Sequence, residues 1–403
     1  MRRFREFENA DDWEECGLGD VAEIFDGTHQ TPKYTDSGVK FVSVENISTL
    51  ETTKLISEEA YLKEYSNKQA EKGDVLMTRI GDIGTTKVIE TDETLAYYVT
   101  LALLKPKGLD SNFLAQLISS PEVQRNIWKR TLHIAFPKKI NLGEINQIEL
   151  VLPSEEEQTK IGTFFSTIDT TITFHQRKLE KVKALKTAYL AEMFPAEGER
   201  KPKRRFAGFT DAWEQCRLGD VTSKIGSGKT PKGGESTYAN QGIPLIRSQN
   251  IYDAIVDLRG VAFISAETDS EMQNSRVNPD DILLNITGAS IGRSAVYMED
   301  FPANVNQHVC IVRPTSEYSP TFIQQNIASS TGQNQIDSFQ AGGAREGLNF
   351  QQIAKISFSF PSFEEQTKIG TFFSTLDHTI TFHQRKLEKL QNIKNAYLNE
   401  MFV

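Results

Sequence analysis

Two long stretches of this chain share one rhythm. Large or apolar residues return in alternating steps of four and three at Ile161, Phe165, Ile168, Ile172, His175, Leu179, Val182, Lys186, Tyr189 and Met193. The same series recurs at Ile369, Phe373, Leu376, Ile380, His383, Leu387, Leu390, Lys394, Tyr397 and Met401. Such spacing puts one stripe on a helix that packs along another helix. Ser154 with Glu157, and Ser362 with Glu365, each follow a proline and form Ser-x-x-Glu, which predicts a helix start with a capping box. The stretches 156–194 and 364–402 differ at eight positions, among them Ile168 against Leu376 and Val182 against Leu390. Forty helical residues span about 60 Å. Two helices with matching seams are expected to pair, with Ile161, Phe165, Ile168, Ile172, His175, Leu179 and Val182 facing Ile369, Phe373, Leu376, Ile380, His383, Leu387 and Leu390.

The repeat extends beyond the helices. The run from Trp13 to Val21, with Cys16 and Leu18-Gly19-Asp20, returns from Trp213 to Val221, with Cys216 and Leu218-Gly219-Asp220. Thr31-Pro32-Lys33 returns as Thr230-Pro231-Lys232. Strand-like runs 74–80 and 85–89 flank Gly81-Asp82-Ile83-Gly84, and runs 281–287 and 293–297 flank Gly288-Ala289-Ser290-Ile291-Gly292. Both read as hairpins with a glycine-bounded turn. Helices are expected near 111–118 and 320–328. Alternating strands are expected at 145–152 and 353–360, each running into Pro-Ser and the long helix. The segment 195–205, with Pro195, Lys201, Lys203, Arg204 and Arg205, reads as a solvated linker, or a phosphate contact. The fold class expected is α+β, with two globular α/β units, two long antiparallel helices forming a coiled-coil rod that separates them, and an internal pseudo-two-fold repeat. The helices have stayed nearly identical while the globular parts diverged. That pattern fits one kind of partner surface on the helices and different ligands on the globular units.

A length of 403 residues is enough for two or more cores. There is no apolar run of about eighteen residues, and residues 1–10 lack the apolar centre of a signal peptide. Three cysteines, Cys16, Cys216 and Cys310, argue against a disulfide framework, and the expected location is the cytoplasm. A net charge of -9 argues against a chain that coats nucleic acid unaided.

Candidate chemistry fails on inspection. Gly226-Ser227-Gly228-Lys229-Thr230 resembles part of a phosphate loop, but Ser223 stands where the motif needs its first glycine, and Pro231 follows. Its counterpart Asp26-Gly27-Thr28-His29-Gln30 reads equally as a ligand-facing loop or a turn. Neither the six histidines nor the cysteines show metal-ligand spacing, so no metal site is expected. His175 and His383 read as buried polar residues that fix helix register. No nucleophile elbow, and no Asn- or Asp-Pro-Pro-aromatic motif of an amino-directed DNA methyltransferase, is present. The chain is expected to have no catalytic residues of its own.

Polar loops able to read bases remain. Arg79, Asp82 and Thr85 flank the first hairpin turn, and Asn285, Thr287, Ser290 and Arg293 the second. Arginine can bind guanine, and asparagine adenine, through two hydrogen bonds. Lys138 and Lys139, with Trp128-Lys129-Arg130, add charge to the first unit, and Arg345 and Asn349 stand at the matching place in the second. The bland alternative is that these residues only form turns or meet phosphate.

The layout resembles the specificity subunit of type I restriction–modification systems over nearly the whole chain. The resemblance is carried by Glu-Glu-Gln-Thr-Lys-Ile-Gly-Thr-Phe-Phe at 156–165 and 364–373 and by His-Gln-Arg-Lys-Leu-Glu at 175–180 and 383–388. The Trp-Glu-x-Cys-x-Leu-Gly-Asp-Val openings and Thr-Gly-Ala-Ser-Ile-Gly at 287–292 also carry it. It implies a first target-recognition domain at 1–153, a first long helix and linker at 154–197, a second target-recognition domain at 198–361 and a second long helix at 362–403. It implies that each domain reads half of a split target in double-stranded DNA while the helices set the gap. It implies that modification (methyltransferase) subunits, two of them, would dock with S-adenosylmethionine, and restriction subunits with ATP and Mg. The rival readings are a structural coiled-coil adaptor with no DNA specificity, and an autonomous enzyme built on the Gly-Ser-Gly-Lys-Thr segment.

Overall fold

The computed structural model describes residues 2–196, 198–252, 254–340 and 347–402. Backbone contacts divide the chain into two units, 1–175 with 386–403, and 176–385. The first unit therefore holds the start of the first long helix (Glu155–Met193) and the end of the second (Phe363–Met401), and the second unit holds the reverse.

In the first unit a four-stranded antiparallel sheet runs in the order Ala22–Asp26, Leu101–Pro106, Val75–Thr78, Thr86–Val88. The second unit repeats it as Thr222–Ser227, Val309–Pro314, Ile282–Asn285, Ser294–Val296. The expected hairpins thus form one end of each sheet, with Thr86–Val88 and Ser294–Val296 as the edge strands. A further sheet in each unit contains one parallel pair, Val39–Val42 beside Leu95–Tyr97 and Ile243–Ile246 beside Ala303–Val305. Its edges differ: the first unit adds Tyr34–Thr35, while the second adds Arg276–Val277 and a separate ribbon of Ile251–Tyr252 with Ile255–Val256. A third pairing joins the Trp-Glu-x-Cys opening to the strand before the long helix, Glu14–Gly17 with Glu149–Leu152 and Glu214–Arg217 with Ser357–Phe360. These last strands are shorter than their alternation suggests. Ile145 lies in the helix Leu142–Asn146 and Ile353 in the helix Phe350–Lys355, because Asn349 and Gln352 form a capping box that starts the turn. The predicted helices at 111–118 and 320–328 are found at Ser111–Ser119 and Pro320–Ala328.

One core in each unit is finished by a helix end. In the first unit Phe402 packs on Phe113 and Phe165, with ring centroids 5.8 Å away in both cases, and on Trp13 at 6.2 Å. In the second, Phe194 packs on Phe322 at 5.4 Å and Phe373 at 5.6 Å, and Trp213 on Phe322 at 5.7 Å. Met401 and Met193 are buried beside them. Gly162 and Gly370 let the long helices pass close to the neighbouring helices, since a Cβ at either would strike Asp110 or Thr321.

The seam residues are buried or half-buried throughout, including His175 and His383. The lysines of the seam are not apolar fillers. Lys186 bonds Asp377 at 2.6 Å in the second unit, and Lys394 bonds Asp169 at 2.6 Å in the first. Gln325 and Gln116 donate to the other oxygen of the same carboxylates, each at 2.8 Å. The predicted capping boxes form only in part. Ser154 and Ser362 accept from the amides of Glu157 and Glu365, but those carboxylates are buried and gripped by Arg3 and Arg205. The segment read as a solvated linker is thus partly structural. Arg205 holds Glu365 through two bonds, at 2.8 and 2.6 Å, and Arg204 lies over Tyr189 and bonds Glu192 at 2.5 Å. Arg3 and Arg2 do the same for Glu157, Tyr397 and Glu400 in the first unit.

Asp377 is buried, and desolvation raises its pKa despite Lys186. Lys186→Met strands that carboxylate, which should cost about 3 kcal/mol, whereas Lys394→Met, in a more exposed pair, should cost about 1 kcal/mol or less. A raised folded-state pKa means that the folded protein keeps its proton to higher pH, so the acid is stabilising when protonated and costly once ionised. The Lys186→Met deficit should therefore shrink as pH falls through the carboxylate range. Urea unfolding at several pH values tests this, and a pH-independent deficit would count against it.

Residues 1–197 alone lack the strip 386–402 that closes the first unit, but they carry 176–194, whose Met193 and Phe194 make the matching closure in the second. A surface that fits its near-copy should fit its own copy. The fragment is expected to sediment as a dimer, with concentration-dependent assembly. A folded fragment that stays monomeric would show that the repeat is ancestry without working symmetry.

Candidate nucleic-acid interface

The turns that leave the sheet strands converge at one edge in each unit. In the first, the amide of Arg79 bonds the Thr100 carbonyl at 2.9 Å, the amide of Val99 bonds the Thr28 carbonyl at 3.1 Å, and the amide of Gly81 bonds the Lys138 carbonyl at 2.8 Å. The loop at 26–30, the hairpin turn, the loop at 98–100 and the 131–139 segment therefore share an edge. In the second, the amide of Ile286 bonds the His308 carbonyl at 3.1 Å and the amide of Leu348 bonds the Ile286 carbonyl at 2.9 Å. Gly27 and Gly228 sit where the chain crosses the neighbouring loop. A Cβ there would collide with the carbonyls of Tyr97 and Val305. That close approach, rather than phosphate, accounts for the glycine in Ser227-Gly228-Lys229. The segment leaves a strand and enters no long helix, and Lys229 donates to the Glu271 carbonyl at 2.7 Å.

The sequence candidates divide by exposure. Arg79 is buried, and its guanidinium donates to the Ile140 carbonyl at 3.2 Å and to Asp26 at 3.1 Å. Asp26 also meets His29 at 2.7 Å. Arg79 thus ties the turn to the neighbouring loops and is not presented to solvent. Asp82 is exposed and accepts from the Thr85 hydroxyl at 2.6 Å, while Lys138 and Lys139 stand exposed beside them. Asn285 is fully buried; its amide donates to the Ser248 carbonyl at 3.0 Å and to the Ser290 hydroxyl at 3.1 Å. It is placed as a strut under the second turn, not as a presented base reader. Thr287 pairs with His308 at 2.6 Å, and Asn349 caps a helix through the Gln352 amide at 2.9 Å. Arg293 is exposed on the turn. Arg345 lies outside the described residues.

Sequence reading missed a polar chain on this edge. Thr230 bonds Gln307, Gln307 lies 3.0 Å from His308, and His308 meets Thr287. The Thr-Pro-Lys repeat marks one end of it, but Gln307 and His308 carry no signal in a single sequence. Arg247, half-buried on the adjoining loop with its guanidinium 5.4 Å from the Tyr238 ring, was also missed. Among the described residues no group of His, Cys, Asp or Glu is placed to hold a metal ion, and no helix is long and apolar enough to cross a membrane.

A duplicated α/β unit, closed by antiparallel helix ends and presenting polar loops at one sheet edge, is the class of molecule that this geometry defines. The model of the type I restriction modification DNA specificity domain matches it twice, over residues 10–184 and 210–392, and the chain belongs to that family. It is 22% identical over 412 positions to the MjaX specificity subunit of Methanocaldococcus jannaschii, covering 96% of this chain and 92% of that one. It is 30% identical over 168 residues to the type I restriction enzyme EcoBI specificity subunit of Escherichia coli, covering 40% of this chain and 35% of that one. In fold it is similar to the crystal structure of the type I restriction–modification system S subunit from M. genitalium, with a TM-score of 0.73, 15% identity, and 100% and 99% of the two chains covered.

Substituting the buried strut and the exposed arginine should separate structure from recognition. Asn285→Ala should cost about 1–3 kcal/mol of stability, because the buried bonds to the Ser248 carbonyl and the Ser290 hydroxyl are both lost. Arg293→Ala should leave stability within about 0.5 kcal/mol. Paired denaturation and DNA-binding measurements check this; equal destabilisation by the two would contradict the placement.

Proposed function

We propose that this chain supplies DNA sequence specificity to a type I restriction–modification complex. Each unit reads one half of a split target in double-stranded DNA with the loops at its sheet edge. The long helices set the gap and dock the modification subunits, one for each copy of the repeated surface. The observation that carries this reading is the contrast between the two parts of the repeat. The helix ends, their Lys–Asp–Gln contacts and the arginine grips recur residue for residue, while the loop chemistry at the sheet edges differs between units. Identical scaffold contacts suit two copies of one partner, and unlike loops suit two unlike half-sites.

The methyl donor S-adenosylmethionine, ATP and Mg belong in this reading to the partner subunits. Target adenines must leave the base stack for methylation. This chain's share is to fix where on the duplex that happens.

The full chain with its modification subunits and S-adenosylmethionine should methylate adenines in a bipartite motif, and the isolated chain should methylate nothing. Inserting four residues between Leu179 and Tyr189 lengthens the helix by about 6 Å and rotates its C-terminal portion by roughly 40°. Methylation mapping should then return the same two half-sites with a changed spacer. An active insertion variant with the original spacer would defeat the ruler, and a complex that methylates without sequence preference would favour the adaptor reading.

A further inference from the structure

The segment from Trp128 to Lys139 carries Lys129, Arg130, Lys138 and Lys139 and no acidic residue, in a chain of net charge -9. Its tip presents two apolar side chains, Ile134 and Phe136, both fully exposed. Fully exposing an aromatic ring and an aliphatic chain on one short loop is unfavourable unless something covers them.

The base of this loop is firmly held. The amide of Leu132 bonds the Lys139 carbonyl at 2.8 Å, and that of Ile140 bonds the Arg79 carbonyl at 3.0 Å. The Thr131 hydroxyl donates to the Ile127 carbonyl at 2.8 Å, and the His133 ring lies tilted against Trp128 with centroids 4.4 Å apart. Arg130 is engaged with Glu149 at 3.0 Å, whereas Lys129, Lys138 and Lys139 are exposed and form no ion pair among the described residues. The tip therefore projects from a fixed base beside the turn that carries Asp82 and Thr85, with cations on both sides.

We propose that Phe136, supported by Ile134, is a wedge that enters a base step of the duplex at or beside the first half-site. The lysines 129, 138 and 139 would hold the flanking phosphates. Apolar side chains that enter a duplex unstack a step and bend it, and the affinity for that step then depends on how easily it deforms. The wedge gives the first unit a second kind of specificity, reading deformability rather than base edges. The inference rests on the reading that the first unit contacts DNA. Continuity with the 79–85 turn favours DNA over a lipid surface, which would also accept an apolar tip among cations.

The test uses the full chain with its modification subunits and duplexes carrying the motif found by methylation mapping. 2-Aminopurine is placed at successive positions through and beside the first half-site. The wild-type complex should raise the fluorescence at one step several-fold, and Phe136→Ala should abolish that rise and weaken binding by about tenfold. Phe136 is fully exposed, so its replacement should leave the melting temperature unchanged. Lys138→Gln with Lys139→Gln should keep the bright position and lower the slope of log binding constant against log salt by about 2. If no step brightens, or if Phe136→Ala brightens it as the wild type does, the wedge is wrong while the DNA-recognition reading stands. If the complex binds no motif at all, both fall. Phe136-dependent binding to phosphatidylserine vesicles without any bright step would assign the tip to a membrane and overturn the proposal.

Discussion

In each unit one core is closed by a helix end from the other half of the sequence. The first unit is sealed by Phe402, which reaches Phe113, Phe165 and Trp13 from the far end of the chain, and the second by Phe194, which reaches Phe322 and Phe373. Replacing a buried phenylalanine by alanine costs about 3–5 kcal/mol, a large part of the stability of an ordinary domain. The position of the long helices is thereby tied to the integrity of each core. Sliding one helix along the other, with no residues added, would open both the seam and the aromatic closure.

Polar contacts around that closure make it selective rather than merely sticky. Apolar seams slide, but Asp377 must meet Lys186 and Gln325, and Asp169 must meet Lys394 and Gln116. Buried charged groups tolerate few alternative partners. Arg3 on Glu157 and Arg205 on Glu365 add a second fixed point where each unit's opening segment meets a helix start. Four such contacts recur at equivalent positions and hold those residues of the helices fixed. Sheet positions need only be apolar and of suitable size.

At the sheet edge the same economy is reversed. The residues that hold the loops together are buried and spent on protein partners, as with Arg79 on Asp26 and Asn285 on Ser248. Residues that reach solvent there include Asp82, Thr85, Lys138, Lys139, Arg293, Asn349 and the apolar tip at Ile134 and Phe136. Edge-strand differences between the units, such as the added ribbon of Ile251–Tyr252 with Ile255–Val256, give each edge its own outline. Family membership joins the chain to DNA specificity, and the two edges differ in chemistry and outline.

Much of this was legible in the chain. Seam spacing gave the long helices, the Trp-Glu-x-Cys repeat gave two units, and the glycine-bounded turns gave the hairpins, because each depends on local periodicity or on a residue with one steric role. The resemblance to specificity subunits rested on runs of ten and six residues that occur twice. Tertiary structure alone decided which polar residues are struts. Arg79 and Asn285 look like base readers in sequence, since chemistry permits both roles, and the structure places both in buried contacts with protein partners. It also turned Lys186 and Lys394 from seam fillers into ion-pair partners, and Arg205 from a linker charge into the grip on Glu365. Those pairings join residues 160 to 225 positions apart, a separation over which no local pattern carries information.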